Sequence, residues 1–324
     1  MQLSKERLIK LYRDMYLIRV FEDVVGEYAA NGTIPGFVHL STGQEACAAG
    51  ICDCLRKSDY KFPDHRGHGE GLLVGTDPKL VMAEIFGKRT GINGGRGGSM
   101  HISDWDVHNH GFNGIQGSTT LTALGTAFAS KYRKNDDVTV IFFGDGTLGE
   151  GACHESINMA ATWHLPIIYA MFNNGYAIST RCEDAHPQKE LIEWAKGYEV
   201  PSVRIDGNDV EAVVEATEKA VEACRKGEGP YFIELMTYRW QGHFAGDPAA
   251  YRPEEEVAYW KDRDPVKKTR KDLLDRGYAT EEEMQKLESE VNDQIQEMLK
   301  FSLESPLPEL EDALTNVYSS KEVQ

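Results

Sequence analysis

Two short blocks carry residues that could do chemistry. The first is GDGTLG at 144–149, directly after an apolar run. The second, after the 26 residues 147–172, is Asn173-Asn174. GDGTLG matches the G-x-G-x-x-G string of a dinucleotide-binding turn, which would make the chain a nicotinamide-dependent oxidoreductase. The chemistry opposes that reading. Asp145 would set a bare carboxylate against a pyrophosphate, and the next apolar run ends in Asn173-Asn174 rather than in the acid that would hold a ribose. A metal ion removes both objections. With Asp145 and Asn174 offering oxygens to Mg²⁺, the same ion can bridge to diphosphate oxygens, as suits a hard cation held by few protein ligands.

The flanking pattern tells what must position these residues. Residues 137–146 (DVTVIFFGDG) read as a strand and turn, about 150–163 as a helix, and 165–172 as a second strand, so the segment is a βαβ unit. A second unit follows: a strand at 202–205, the turn DGND, a helix from about 210 to 225 and a strand at 231–237. Continuous apolar strands alternating with helices predict an α/β fold with a parallel sheet and helices on both faces. Asp145 and Asn174 then stand at the carboxyl edge, where open α/β sheets bind ligands. A first helix is expected from an N-cap at Ser4 to Asn31-Gly32, burying Leu8, Leu11, Tyr12, Met15, Ile18 and Phe21. Thr280 and Glu283 spell a capping box for a last helix with Met284, Leu287, Val291, Ile295 and Met298 on one face. The stretch GINGGRGGS at 91–99 is a loop whose backbone can approach something closely. We expect one α/β domain over 1–265, including the N-terminal helix, and a helical C-terminal extension over 266–324 packed on it.

Composition narrows the class. With 324 residues, 41% of them hydrophobic, the chain can bury a large core. The net charge of −17 works against attraction to nucleic acid or anionic lipid. No apolar run approaches the length of a membrane span, and the N-terminal residues show neither a secretory nor a transit pattern, so a cytoplasmic protein is expected. The six cysteines have no CxxC spacing and are read as reduced, mostly buried thiols; Cys52 and Cys54 lack the further ligands a zinc site needs.

GDG, 26 residues and NN together resemble the thiamine-diphosphate signature. The flanking EGxxxESxNMAAxWxLP at 150–166 is similar to the alpha subunit of the thiamine-diphosphate-dependent dehydrogenase component of 2-oxo-acid and acetoin dehydrogenase complexes. Further blocks follow in that family's order: GFVHLSTGQEA (36–46), HRGHG (65–69), GGRGGSMHI (94–102), NGIQG (113–117) and TYRWQGHFAGDP (237–248), so the likeness runs from about residue 8 to about 265. The resemblance implies a thiamine-diphosphate-binding fold and roles by position. Asp145, Asn174 and the Tyr176 carbonyl would hold Mg²⁺. His65, Arg66 and His243 would face the diphosphate, with Gly146 and Thr147 lining it. The backbone at Gly114 and Gln116 would contact the aminopyrimidine, and His39 would stand near the reactive carbon. His39 and His243 are the candidate catalytic residues, since imidazoles titrate near neutrality and can move protons. His68, His101, His108, His110 and His154 are read as hydrogen-bonded structural residues, His101 being the first candidate for an exception.

The resemblance also implies what is absent. The glutamate that activates the cofactor in this family belongs to a beta subunit, so the chain is expected to work in a heterotetramer of two alpha and two beta chains. It would cleave acetoin or a 2-oxo acid such as pyruvate and pass the acyl unit to a lipoyl acyltransferase. His65 before Arg66, and Phe244 after His243, look more like acetoin than pyruvate dehydrogenases. Phe244 also removes a hydroxyl that kinases modify in mitochondrial relatives. Gly149 stands where the family usually has Asn, and GSTTLT at 117–122 replaces a segment usually carrying proline. Such departures leave open a biosynthetic member that gives a two-carbon unit to a carrier protein, or a catalytically silent structural paralogue.

Overall fold

The computed structural model describes residues 2–315. Its centre is a five-stranded parallel sheet in the order β1-β2-β3-β7-β6, made of β1 (Tyr60–Phe62), β2 (Thr139–Gly144), β3 (Ile167–Asn173), β6 (Ser202–Asp206) and β7 (Tyr231–Met236). A two-residue hairpin, β4 (Tyr176–Ala177) with β5 (Thr180–Arg181), leaves the end of β3. The helices in chain order are α1 (Lys5–Ala30), α2 (Glu45–Asp53), α3 (His68–Leu73), α4 (Pro78–Ile85), α5 (Ser118–Arg133) and α6 (Gly151–Trp163). They continue with α7 (Cys182–Ala185), α8 (Ile192–Gly197), α9 (Val210–Arg225), α10 (Glu254–Asp262), α11 (Pro265–Asp275) and α12 (Glu281–Glu304).

The central strands β2 and β3 are continuously apolar over 140–143 and 167–172 because both faces of the sheet are covered. Successive side chains point to opposite faces. Ile141 and Phe143 of β2, with Ile167, Tyr169 and Met171 of β3, pack with α5 and α6. Val140, Phe142, Ile168, Ala170 and Phe172 pack with α2 and α9. Both expected βαβ units are present, with α6 joining β2 to β3 and α9 joining β6 to β7. The sequence pattern missed β1. Its three residues include a buried lysine, Lys61, whose Nζ donates to the carbonyls of Lys57 and Val107 at 2.9 and 3.0 Å.

The end helices form as read. Ser4 Oγ accepts from Arg7 N at 3.3 Å, and α1 stops at Asn31. Thr280 and Glu283 make both bonds of the capping box. Helix α12 presents Val291, Ile295 and Met298 to a core shared with α1 and α4, and α11 lies against α1 and α2. The glycine-rich stretch is an irregular loop, and what its backbone approaches is the chain itself. Glu84 accepts from the N–H groups of Asn93, Gly95 and Gly97 at 2.8, 2.8 and 2.6 Å. A Cβ on Gly95 would stand 2.7 Å from the Gly87 carbonyl carbon. Among the described residues no helix is long and apolar enough to cross a membrane, and all six cysteines are free thiols.

Candidate active site

Asp145 is the first residue past β2 and Asn174 the first past β3. In the sheet register Gly144 lies opposite Phe172, so parallel pairing delivers both residues to the same edge. Asn174 N donates to Asp145 Oδ1 at 3.2 Å. Asp145 is 1% exposed, and its other oxygen, Oδ2, is buried without a partner. Burial raises its carboxyl pKa to about 6, although the N–H groups of Asp145 and Asn174 pull the other way. After β2 the chain makes a tight 3-10 turn, 145–149, rather than opening directly into a helix. A Cβ on Gly146 would lie 2.5 Å from that of Ala177, so glycine is required for this turn to pack on the hairpin.

The third oxygen is close by. Asn174 Oδ1 accepts from Tyr176 N at 3.3 Å, and the Tyr176 carbonyl accepts from Arg239 Nη1 at 3.0 Å, which uses one of its two lone pairs. Asn174 Nδ2 donates to Gln44 Oε1 at 3.2 Å and so ties this edge to the segment containing His39. That segment runs beside the later loop: Trp240 N donates to the Thr42 carbonyl and Ala245 N to the Val38 carbonyl, at 2.9 and 2.8 Å.

The pairing brings three histidines together. Ring centroids are 4.7 Å apart for His39 and His65, 4.9 Å for His39 and His243, and 5.7 Å for His65 and His243. Arg66, also buried, donates through Nη1 to the Leu40 carbonyl at 2.9 Å and through Nη2 to the His243 carbonyl at 2.6 Å. Its Nη2 is also 3.1 Å from His243 Nδ1. A guanidinium only donates, so His243 Nδ1 is an acceptor and the ring is neutral. Burial, reinforced by Arg66, lowers His39 to about 3 and His243 to about 4, and holds His65 well below its ordinary value. Burial and then Arg239 bring Arg66 down to about 9. His39 Nδ1 and both ring nitrogens of His65 are buried without partners. Three imidazoles this close could ligate a metal, but an arginine against one of them makes an anion the better guest.

The other candidates are placed less tightly. Gln116 Nε2 donates to the Asn113 carbonyl at 2.7 Å, and the side chain lies near the His65 ring without a hydrogen bond to it. Gly114 is exposed, and a Cβ there would meet the His101 ring at 3.5 Å. Thr147 is buried, its Cγ2 3.9 Å from a Cβ on Gly117, so the 113–117 loop is seated on the Asp145 turn.

His68 is structural as read, bonded to Glu22 Oε2 at 3.1 Å and Ser99 Oγ at 2.8 Å. His108 bonds the Ser58 carbonyl and His154 the Tyr198 hydroxyl. His110 corrects the expectation: its Nε2 is buried without a partner, and the ring is held by packing against Phe62 and Trp105. His101 is exposed beside Gly114, with no hydrogen bond among those described. Sequence reasoning missed Arg239, Gln44 and His186. Arg239 and Gln44 lie inside blocks it quoted, where an unassigned cation and amide were the available signals.

The residues therefore form two poles, an acidic one at the carboxyl edge of the sheet and one of neutral imidazoles around an arginine, tied together through Gln44 on Asn174. The model of the family described as "Dehydrogenase E1 component" matches residues 12–311. The chain belongs to that family, whose members are thiamine-diphosphate-dependent oxidoreductases. It is 42% identical over 323 residues to the alpha subunit of acetoin:2,6-dichlorophenolindophenol oxidoreductase of Bacillus subtilis, covering 99% of this chain and 96% of that one. It is 40% identical over 317 residues to the pyruvate dehydrogenase E1 component subunit alpha of Rhizobium meliloti, covering 98% and 91%. The corresponding subunit of Zymomonas mobilis is 40% identical over 320 residues, covering 98% and 90%.

Proposed function

We propose that this chain is the cofactor-anchoring alpha subunit of a Mg²⁺- and thiamine-diphosphate-dependent enzyme that cleaves acetoin or a 2-oxo acid such as pyruvate. The observation that carries the reading is Asp145 Oδ2, a buried carboxylate oxygen without a partner on a residue at the same sheet edge as Asn174. Leaving an acid so is costly unless a cation completes it. Asp145, Asn174 and the Tyr176 carbonyl would hold Mg²⁺, and His65, Arg66 and His243 would face the diphosphate beside Gly146 and Thr147. The unpartnered nitrogens of His39 and His65 suit the same guest, since each is a polar atom waiting for a hydrogen bond.

Thiamine diphosphate, when bound, supplies the carbon nucleophile and electron sink for breaking a carbon-carbon bond. The chain's residues orient and handle protons. Backbone at Gly114 and Gln116 would contact the aminopyrimidine. His39, kept neutral with an unpartnered Nδ1, and His243, whose Nδ1 accepts from Arg66 so that Nε2 carries the proton, are the groups that would hold or move a proton beside the cofactor. Arg66 Nη2 contacts both the carbonyl and Nδ1 of His243 and so sets which ring nitrogen accepts. The glutamate that activates the cofactor would come from a beta subunit, as the alpha-subunit names of both relatives fit. A lipoyl-bearing acyltransferase would take the acyl unit. The biosynthetic carrier-protein alternative and the silent paralogue are not favoured by these relatives. Free thiols throughout suit the cytoplasm as its location.

Calorimetric titration of the chain with its beta partner, using thiamine diphosphate with and without Mg²⁺, tests this reading. Mg²⁺-dependent binding is expected, and absent binding would sink it. Turnover of acetoin and pyruvate with an artificial electron acceptor then separates the substrates. Phe244, stacked edge-on against the exposed Phe37 at 5.3 Å, puts an apolar rim beside His243 and favours the uncharged acetoin.

A further inference from the structure

His186 lies just past α7 and is buried. Its Nε2 is 3.2 Å from the backbone carbonyl oxygen of Asp145. A carbonyl only accepts, so Nε2 carries the proton and donates. The ring has space because residue 149 is glycine. A Cβ on Gly149 would stand 3.5 Å from His186 Cε1, ordinary contact for a methyl group, whereas a branched side chain there would press on the ring. The edge of Trp194 flanks the imidazole, with centroids 6.2 Å apart and planes at 81°.

These contacts close a circuit. Asn174 N donates to Asp145 Oδ1 at 3.2 Å. Cys182 N donates to the Gly175 carbonyl at 2.9 Å, and His186 N donates to the Cys182 carbonyl at 3.1 Å. His186 Nε2 then returns to Asp145. Asp145 is thus held twice, at its main-chain carbonyl and at one carboxylate oxygen, and both anchors refer to the segment that carries Asn174.

We infer that His186 is a positioning residue for the cation site: its hydrogen bond to the Asp145 carbonyl fixes the direction of Asp145 Oδ2 relative to Asn174, and Gly149 is the residue that admits it. The inference rests on the proposed role of Asp145 in holding Mg²⁺. Groups that orient ligands in this way typically change metal affinity roughly 10–100-fold when removed.

The test is Mg²⁺ affinity at fixed thiamine diphosphate, measured by calorimetry on the full chain with its beta partner, alongside the melting temperature of the cofactor-free protein. His186→Leu keeps bulk but loses the donor and is expected to weaken Mg²⁺ binding at least tenfold. His186→Gln restores a donor near the Nε2 position and should return affinity to within about threefold of wild type. Gly149→Val, which displaces the ring without altering it, should mimic the leucine variant; Gly149→Ala should not. Leucine and glutamine variants of equal affinity would overturn the inference. So would affinities that follow melting temperature rather than the donor, or a wild-type-like valine variant. A wild-type protein that takes up neither Mg²⁺ nor cofactor would instead overturn the reading of Asp145, and this inference with it.

Discussion

Glu84 and Asp145 are both buried carboxylates beside glycine-rich backbone, and they are finished differently. Glu84 accepts from three backbone N–H groups of the loop 91–99. Asp145 is completed on one oxygen and left open on the other. The first acid is a structural pin, and the glycines around it let the main chain come close enough to be pinned. The second is an incomplete coordination shell, and its glycines let a turn pack on a hairpin. Between these two acids, burial and neighbouring glycines do not separate scaffold from site; the unpartnered oxygen does. Unlike Glu45, whose open Oε2 is offset by Arg19 on Oε1, Asp145 has no cation on its other oxygen among the described residues.

The largest effect that would sharpen this contrast is expected at Asp145. Asp145→Ala should lower Mg²⁺-dependent activity by about 10³-fold or more, as expected when a charge-bearing ligand is lost, measured as turnover with the beta partner. The cofactor-free protein should respond in the opposite sense. Because the folded pKa, about 6, lies above the unfolded value near 3.8, the folded state binds more protons between these values. Stability contributed by this group therefore falls as pH rises through that window, by up to about 3 kcal/mol. Asp145→Asn should abolish that slope and be the more stable protein at pH 8 in denaturant titrations. An unchanged slope would break the contrast, since Asp145 would then be as satisfied as Glu84.

Glu84→Ala should show the reverse pattern. Orphaning three N–H groups costs on the order of 3–5 kcal/mol, seen as a lower denaturation midpoint, while Mg²⁺ affinity of the folded fraction stays near wild type. A smaller effect is expected at His39. Its neutral imidazole has a free Nδ1, so His39→Ala should reduce kcat roughly 10²-fold with little change in melting temperature.

Much of the scaffold was legible because its signals are local. Apolar runs ending in Gly144 and Asn173, and the Thr280–Glu283 box, each depend on a few consecutive residues and formed where expected. Asp145 and Asn174 were legible because parallel pairing brings successive strand ends to one edge. What the sequence concealed depends on distant partners. Gln44 reaches Asn174 across 130 positions and Arg239 reaches Tyr176 across 63. Strand β1 hides a buried lysine in three residues, where no period can be counted. The loop 91–99 announced a close approach but not its object, since Glu84 lies in a different element.

The smallest effect tests whether the two poles of the site are mechanically joined. Arg239 Nη2 donates to the Tyr251 hydroxyl at 3.1 Å, Tyr251 donates to Asp247 Oδ2 at 2.7 Å, and the same oxygen accepts from His243 N at 2.6 Å. With Nη1 of Arg239 on the Tyr176 carbonyl, a continuous set of bonds runs from the acidic edge to the imidazole cluster. Tyr251→Phe removes one hydroxyl from the middle. Asp247 keeps the N–H groups of His243 and Ala249, and Arg239 keeps the carbonyls of Tyr176 and Ile178. The loss should therefore be that of one hydrogen bond, about 1 kcal/mol, or roughly fivefold in thiamine diphosphate affinity by calorimetry. A loss as large as that from Asp145→Ala would mean that the poles act as a single unit. No loss would mean that each is held by its own strand end, with Tyr251 serving only to pack the loop.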